Sequence, residues 1–441
     1  MLESSSQEAL NIIHPDSTIW WLRRDIRLQD NAALYYALTE NQKVIPLFIF
    51  DTEILDALDD KYDKRVEFIH HLIASLKDEL EQLGSSMLIL HGNPIELFKH
   101  LNPGAVYTNR DYEPYAIARD KTISGDLSMR GIPFKSFKDQ VIFEEREVVK
   151  SNDDPYTVFT PYSRKWKEKL NAFYQKSYPT ERYFKNFQRC KPLAIPSLSQ
   201  LGFNSTGSTF PPRIIKLAII GKYHQQRNFP AVQGTSRLSA HIRFGTISIR
   251  KLVQLAKKKN EIWLNELIWR EFYQMILWHF PEVVTTSFKP AYDRIEWRND
   301  LTEFKAWCEG KTGYPIIDAG MRELNQTGFM HNRIRMVVAS FLTKHLLIDW
   351  RWGEAYFAKK LLDYDLASNN GGWQWAAGSG SDSAPYFRVF NPQLQAEKFD
   401  SRNEYISKWV PEWNTVDYPR PIVDHKKARE RALKAYKAAL G

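Results

Sequence analysis

The chain has 441 residues, enough for two domains, and its 43% hydrophobic and 26% charged residues are the balance of an ordinary soluble globular protein. Lys plus Arg number 61 against 52 Asp plus Glu, and the net charge of +9 favours a polyanionic partner, nucleic acid first. No apolar run approaches the ~20 residues of a membrane span, no signal-peptide pattern opens the chain, and two distant cysteines, Cys190 and Cys308, make neither a disulfide framework nor a metal cluster, so membrane and disulfide-rich secreted classes are excluded and the cytoplasm is expected.

Residues 18–22 (TIWWL) and 43–49 (KVIPLFI) are apolar runs of buried-strand length, with a helix expected over 31–39 between them. Residues 66–83 predict an amphipathic helix, because Phe68, Leu72, Leu76 and Leu80 recur every four residues and Gly84 follows as a stop. Further strands are expected at 86–90, from 105 and near 133–137, with a helix from about Tyr115. Strands alternating with helices predict an α/β N-terminal domain over residues 15–141, a Rossmann-like parallel sheet covered on both faces. No G-x-G-x-x-G follows the first strand, so dinucleotide binding there is unsupported. Residues 142–212 show no sustained period and predict an interdomain connection. Residues 213–441 are helical in pattern and predict an all-α C-terminal domain, ending in a basic surface helix at 425–437. Eleven of the fourteen tryptophans lie from Trp263 onward, which suits either a large aromatic core or a site for planar rings.

Several dense local patterns stand in this second half. Thr235, Ser236 and Ser239 in GTSRLS (234–239) offer hydroxyls at a turn beside Gly234, which suits a phosphate or a plain helix cap. Asp363 and Asp365 flank Tyr364 shortly before Asn369; no His or third carboxylate follows at ligand spacing, so no metal is expected. Glu266 and Trp269 share one helix face and Asn332 and Met336 another, as ordinary packing residues also do. Trp373 and Trp375 are two apart, so on a helix they point about 200° apart and do different work.

These strings, with NELIWREFY (265–273), KTGYPIIDAGMREL (311–324), MHNRIRM (330–336) and the run from 363 to 392, resemble the photolyase and cryptochrome family, as do WWLRRDIRLQDNAAL (20–34) and YTVFTPYSRKW (156–166). The likeness covers nearly the whole chain in order and is greatest to the class I cyclobutane pyrimidine dimer photolyases. It implies FAD in the helical domain, a flipped-out pyrimidine dimer in UV-damaged DNA as substrate, and a monomer.

By the same resemblance Tyr223, Thr235, Ser236, Arg237, Leu238, Ser239, Trp263, Arg335, Asp363, Tyr364, Asp365 and Asn369 hold FAD, with an Asp363–Arg335 pair and Asn369 facing the reactive flavin nitrogen. Glu266, Trp269, Asn332, Met336 and Trp375 form the lesion pocket, and Trp373, Trp350 and Trp297 carry electrons to FAD. Arg227, Arg270, Tyr273, Arg333, Arg388 and Gln395 join the pocket residues against DNA. Tyr115 and Ala116 stand where folate-binding members carry Asn and Glu, so a second, antenna chromophore is left open between a deazaflavin, another flavin and none. A cryptochrome on the same fold and a six-four photoproduct photolyase are the alternative readings; Asn369 speaks against the first and Asn332 in MHNRIRM against the second.

Overall fold

The computed structural model describes residues 12–441. Among these, five strands form one fully parallel sheet: β1 (Thr18–Leu22), β2 (Val44–Asp51), β3 (Leu88–Gly92), β4 (Ala105–Asn109) and β5 (Phe134–Phe137), in the order β3-β2-β1-β4-β5. Strands β1 and β2 are buried along their whole length, which is why they read as unbroken apolar runs. Pro46 sits inside β2, where a missing N–H would ordinarily break a ladder. The structure tolerates it because the pairing of β2 with β3 begins only at Leu47.

Helices alternate with the strands: α1 (Ala32–Glu40), α2 (Lys64–Gln82), α3 (Pro94–His100) and α4 (Pro114–Met129). Asn31 caps α1 by accepting from the Leu34 N–H at 3.1 Å. Helix α2 starts two residues before its apolar period does, because Asp63 accepts from the Arg65 N–H at 2.8 Å. Strand β3 starts two residues later than expected. Ser85 and Ser86 are committed to side-chain bonds, with the Gln188 carbonyl at 2.7 Å and Glu81 at 3.0 Å. Helix α3, with Asn93 as cap and Pro94 in its first turn, has no counterpart in the sequence reading.

The chain divides into two compact units, each assembled from separated segments. Among the described residues, the sheet unit comprises 12–144, Leu170–Ile214 and Leu238–Leu255; the helical unit comprises Glu145–Lys169, Ile215–Arg237 and Ala256–Gly441. The segment 238–255 is helical in pattern yet packs within the sheet unit, and one reason is a buried ion network. Arg250 donates to Asp30 at 2.9 Å and to Asp139 at 2.7 Å, and Arg27 donates to Asp139 at 2.6 Å. Burial alone would push the Asp139 carboxyl up, but Arg27 and Arg250 outweigh it and hold the group below the usual range.

The helical unit is built from α5 (Glu261–His279), α6 (Leu301–Glu309), α7 (Pro315–Thr327), α8 (Asn332–Ser340), α9 (Trp350–Lys360), α10 (Leu366–Ala377), α11 (Pro392–Phe399), α12 (Glu404–Trp409) and α13 (His425–Leu440). Its core gathers Trp307, Ile317, Ile334, Phe341, Trp350 and Trp373. Gly353 lets α9 and α10 close on one another: a Cβ there would lie 2.1 Å from the Trp373 ring.

Candidate functional site

Helix α5 carries the densest set of expected site residues. Asn260 caps it by accepting from the Ile262 and Trp263 N–H groups, and Trp263 is buried in the first turn. One turn on, Glu266 accepts from Arg227 Nη1, whose backbone ends the short turn Tyr223–Gln226. Both side chains stay about one-third exposed, at 33% and 31%. Burial pushes the Glu266 carboxyl up, and the Arg227 charge opposes the rise. The Arg227 guanidinium also lies over the Tyr223 ring at 5.6 Å. Burial raises the Tyr223 and Tyr273 phenols, and the Glu266 charge raises both further, which puts these four side chains in one neighbourhood.

Trp269 sits in an aromatic stack. Phe159 covers one of its faces, with ring centroids 3.8 Å apart and planes 4° apart, and Tyr273 lies 5.5 Å away. Phe159 stands in the string YTVFTPYSRKW, but nothing local in it announces a tryptophan partner more than a hundred residues on. Arg270 is half-buried on α5.

Helix α8 opens with exposed Asn332, and half-buried Met336 follows one turn later. Between them Arg333 donates to Asn228 at 2.8 Å and covers the Phe399 ring at 4.3 Å. Burial first, and then the charges of Arg227 and Arg388, lower the Arg333 pKa, so these three guanidiniums share one positive region. Arg388 is exposed, and Gln395 is half-buried with a side-chain oxygen that has no hydrogen-bond partner.

Arg335, on the same helix, meets the second cluster. Its Nη2 reaches both Asp363 oxygens at 3.0 and 2.8 Å, and its Nε donates to the Met330 carbonyl at 2.8 Å. The Asp363 side chain is only 6% exposed, so the pair is largely withdrawn from water. Tyr364 packs against the aromatic core. Asp365 caps α10, accepting from the Ser368 N–H at 3.0 Å and its hydroxyl at 2.9 Å. Asn369 is buried, and its amide nitrogen donates to the Glu354 carboxylate at 2.8 Å and carbonyl at 3.1 Å. Glu354 has no motif around it in the sequence, and only the packing of α9 on α10 shows it as the partner that orients Asn369. Three residues after Asn369, a Cβ on Gly372 would meet nothing within 4 Å. A mid-helix glycine weakens a helix by about 1 kcal/mol, so an exposed one facing open space suits close approach by a ligand.

The three tryptophans of the expected electron path meet one hydrophobic core, with Trp373 and Trp350 buried in it and Trp297, half-buried, packed against it. Trp373 meets Phe357 at 5.0 Å and Trp307 at 6.0 Å; Trp297 meets Tyr436 edge-on at 6.0 Å. Trp375 is half-buried, on the other side of α10 from Trp373.

His331 fixes the start of α8, its Nδ1 accepting from the Arg333 N–H at 3.1 Å, so its ring is neutral. Burial first, then Arg333, Arg335 and Arg237, push this imidazole down to about 4. An unfolded imidazole protonates near pH ~6.5. Between those values the unfolded chain binds a proton that the folded one refuses, so stability falls as pH drops through that window. The slope is at most about 1.4 kcal/mol per pH unit for one such group. Urea unfolding at pH 7 and pH 5 should show the loss. His331→Asn keeps a capping side chain without the titration and should shrink the difference by about 1–2 kcal/mol; an unchanged difference would move the effect to other groups.

The string GTSRLS crosses the division between the units. Thr235 and Ser236 are half-buried and Arg237 adopts the left-handed region at φ 52°, all three in the helical unit. Leu238 and Ser239 belong to the sheet unit, where buried Leu238 precedes the short helix Ser239–Arg243 and no side chain caps it. In the sheet unit, the Tyr115 hydroxyl donates to Asp51 at 2.8 Å and Ala116 is buried in α4. At the carboxyl ends of β1 and β4, where the strand order reverses, Asn109 donates to Asp25 at 2.7 Å and Asn31 at 2.8 Å. The same unit has a cavity of about 220 Å³ lined by Phe68, His71, Phe210 and His241, which holds none of the expected site residues. Among the described residues no group of three or more His, Cys, Asp or Glu could hold a metal ion, and no helix is long and apolar enough to cross a membrane.

Comparison with known proteins bears on both units. Residues 18–182 match the DNA photolyase family model, and residues 263–417 match the FAD binding domain of DNA photolyase. A deoxyribodipyrimidine photo-lyase of Escherichia coli is 38% identical over 95% of this chain and 98% of its own length. One from Synechococcus is 37% identical over 95% of each chain. Among solved structures, a class III photolyase from Agrobacterium tumefaciens superposes with a TM-score of 0.85 at 34% identity, over 97% of this chain and 98% of that one. An archaeal photolyase from Sulfolobus tokodaii with two FAD molecules gives 0.80 at 34% identity, over 96% of this chain and all of that one (100%).

Proposed function

Because the chain belongs to the DNA photolyase family, we propose that it repairs cyclobutane pyrimidine dimers in UV-damaged DNA, with light as the energy source and FAD as cofactor. The observation that carries this reading is the end-to-end match to deoxyribodipyrimidine photo-lyases, spanning both units.

The residues of the helical unit fit a flavin. The Arg335–Asp363 pair, the Asn369 amide and the open space beside Gly372 offer charge, hydrogen bonding and room on adjoining helices. Thr235 and Ser236 suit the pyrophosphate, and Tyr223, Arg237 and Trp263 suit the rest of the cofactor. When bound and reduced, FAD supplies under light the electron that opens the cyclobutane ring. Trp373 and Trp350, buried in one hydrophobic core, and Trp297, packed against it, suit the delivery of reducing electrons.

Arg227, Arg333 and Arg388 suit the DNA backbone, because guanidinium–phosphate contacts hold position without reading sequence, as damage at any site requires. Photolyases as a class act on an extruded nucleotide. Glu266 and Asn332 offer hydrogen bonds to its bases, and Trp269, Trp375 and Met336 offer apolar walls. A cytoplasmic enzyme with direct access to DNA fits two free cysteines.

Purified protein carrying reduced FAD should restore dimer-containing DNA in blue light and leave it unchanged in the dark. No repair in light with fully reduced flavin sinks the proposal. Glu266→Ala should lower repair per absorbed photon by about tenfold, the worth of one charged hydrogen bond, with flavin absorbance retained.

A further inference from the structure

We infer that Arg227 is a shared group: it holds Glu266 while no DNA is bound and gives it up when a DNA phosphate arrives, so that backbone capture readies the pocket for the flipped base. The inference rests on the DNA-repair reading of this pocket.

Arg227 Nη1 donates to Glu266 Oε1, and with about one-third of each side chain exposed the pair is open to an incoming ligand. The charges around it are unbalanced. Arg227 and Arg388 each lie close enough to Arg333 for it to feel their charge, and Glu266 is the carboxylate that answers Arg227. Arg333 is anchored on Asn228, the residue next to Arg227, which sets the two cations in one region where an anion feels both charges. A phosphate spreads its charge over several oxygens and suits the planar guanidinium fork better than a single carboxylate oxygen does.

The exchange leaves neither group without a hydrogen-bond partner. Phosphate replaces the carboxylate on Arg227, and the N–H of a base replaces Arg227 on Glu266. Glu266 sits in a partly desolvated place, where burial disfavours its charged form unless something donates to it. Release without a base to follow is therefore unfavourable, and this ties full engagement of the phosphate to the presence of a flipped nucleotide.

The test uses the FAD-loaded protein and undamaged duplex oligonucleotide, with binding followed by fluorescence anisotropy at low salt. Glu266→Gln removes the competitor for Arg227 and should tighten binding by about three- to tenfold. In the Arg227→Ala background the same change should have no effect. No tightening in the single variant overturns the inference. So does an equal gain in both backgrounds, which is what loss of one negative charge near DNA would give by itself. Glu266→Ala is measured alongside, so that the result does not hang on one replacement, and flavin absorbance reports folding. Repair by the wild-type protein is assayed separately on dimer-containing DNA. Absent repair with the coupling intact would remove the dimer substrate and leave the Arg227–Glu266 exchange standing.

Discussion

Arg335→Ala should purify as a folded but nearly colourless protein. The Asp363 carboxylate is 6% exposed, and Arg335 is the cation that reaches both of its oxygens. Removing one partner of a largely buried pair costs about 3–5 kcal/mol. Part of that falls on stability and part on flavin affinity, which should drop by one to two orders of magnitude or about 1.4–2.8 kcal/mol. Bound flavin per protein, read from the visible spectrum, separates this from general unfolding when circular dichroism is measured on the same sample. A second variant sharpens the point. Replacing both partners by apolar residues, Arg335→Met with Asp363→Leu, removes the unpaired charge and should recover most of the stability. It should not recover the flavin. Flavin bound at wild-type level in either variant would show the pair to be a packing device.

Trp373→Phe should abolish most light-driven reduction of FAD while leaving repair intact once the flavin is reduced chemically. The ring is almost completely buried and packed between Phe357, Trp307 and the Gly353 backbone. Phenylalanine fills most of that volume, so the stability cost should stay near about 1–2 kcal/mol. It is far harder to oxidise than an indole, which is what breaks the path. Absorbance of the oxidised flavin under continuous blue light with an external reductant gives the rate. An unchanged rate would remove Trp373 from the path. A lost rate accompanied by lost repair with reduced flavin would mean that the ring also shapes the site.

These two sites differ in how far the sequence discloses them. The strands of the sheet are legible because a parallel strand buried on both faces leaves an apolar run, whereas the caps Asp63 and Asn31 emerge only from the structure. The Arg335–Asp363 pair is legible only through resemblance, since 28 residues separate its partners and no local period links them. Glu354 is not legible at all. It belongs to an unremarkable helical turn and acquires meaning only when α9 lies against α10 and brings its carboxylate to Asn369. Phe159 against Trp269 is the same case, as is the seating of residues 238–255 in the sheet unit. Local patterns report what a residue prefers, whereas partners far along the chain are set by packing.

The discontinuous make-up of the sheet unit bears on the order of events during synthesis. Asp139 leaves the ribosome 111 residues ahead of Arg250, its second cationic partner. At about 5–20 residues per second, that is a wait of roughly 6–22 seconds. Through it the nascent chain carries a complete set of apolar parallel strands, while Asp30 and Asp139 lack the Arg250 charge that balances them in the finished protein. The helical unit is no earlier, since its first segment, Glu145–Lys169, belongs with residues that run to the end of the chain. The sheet unit has its last segment once Leu255 has emerged, whereas the helical unit still waits for residues 256–441. The sheet unit therefore depends on protection of its exposed strand edges until the segment Leu238–Leu255 arrives.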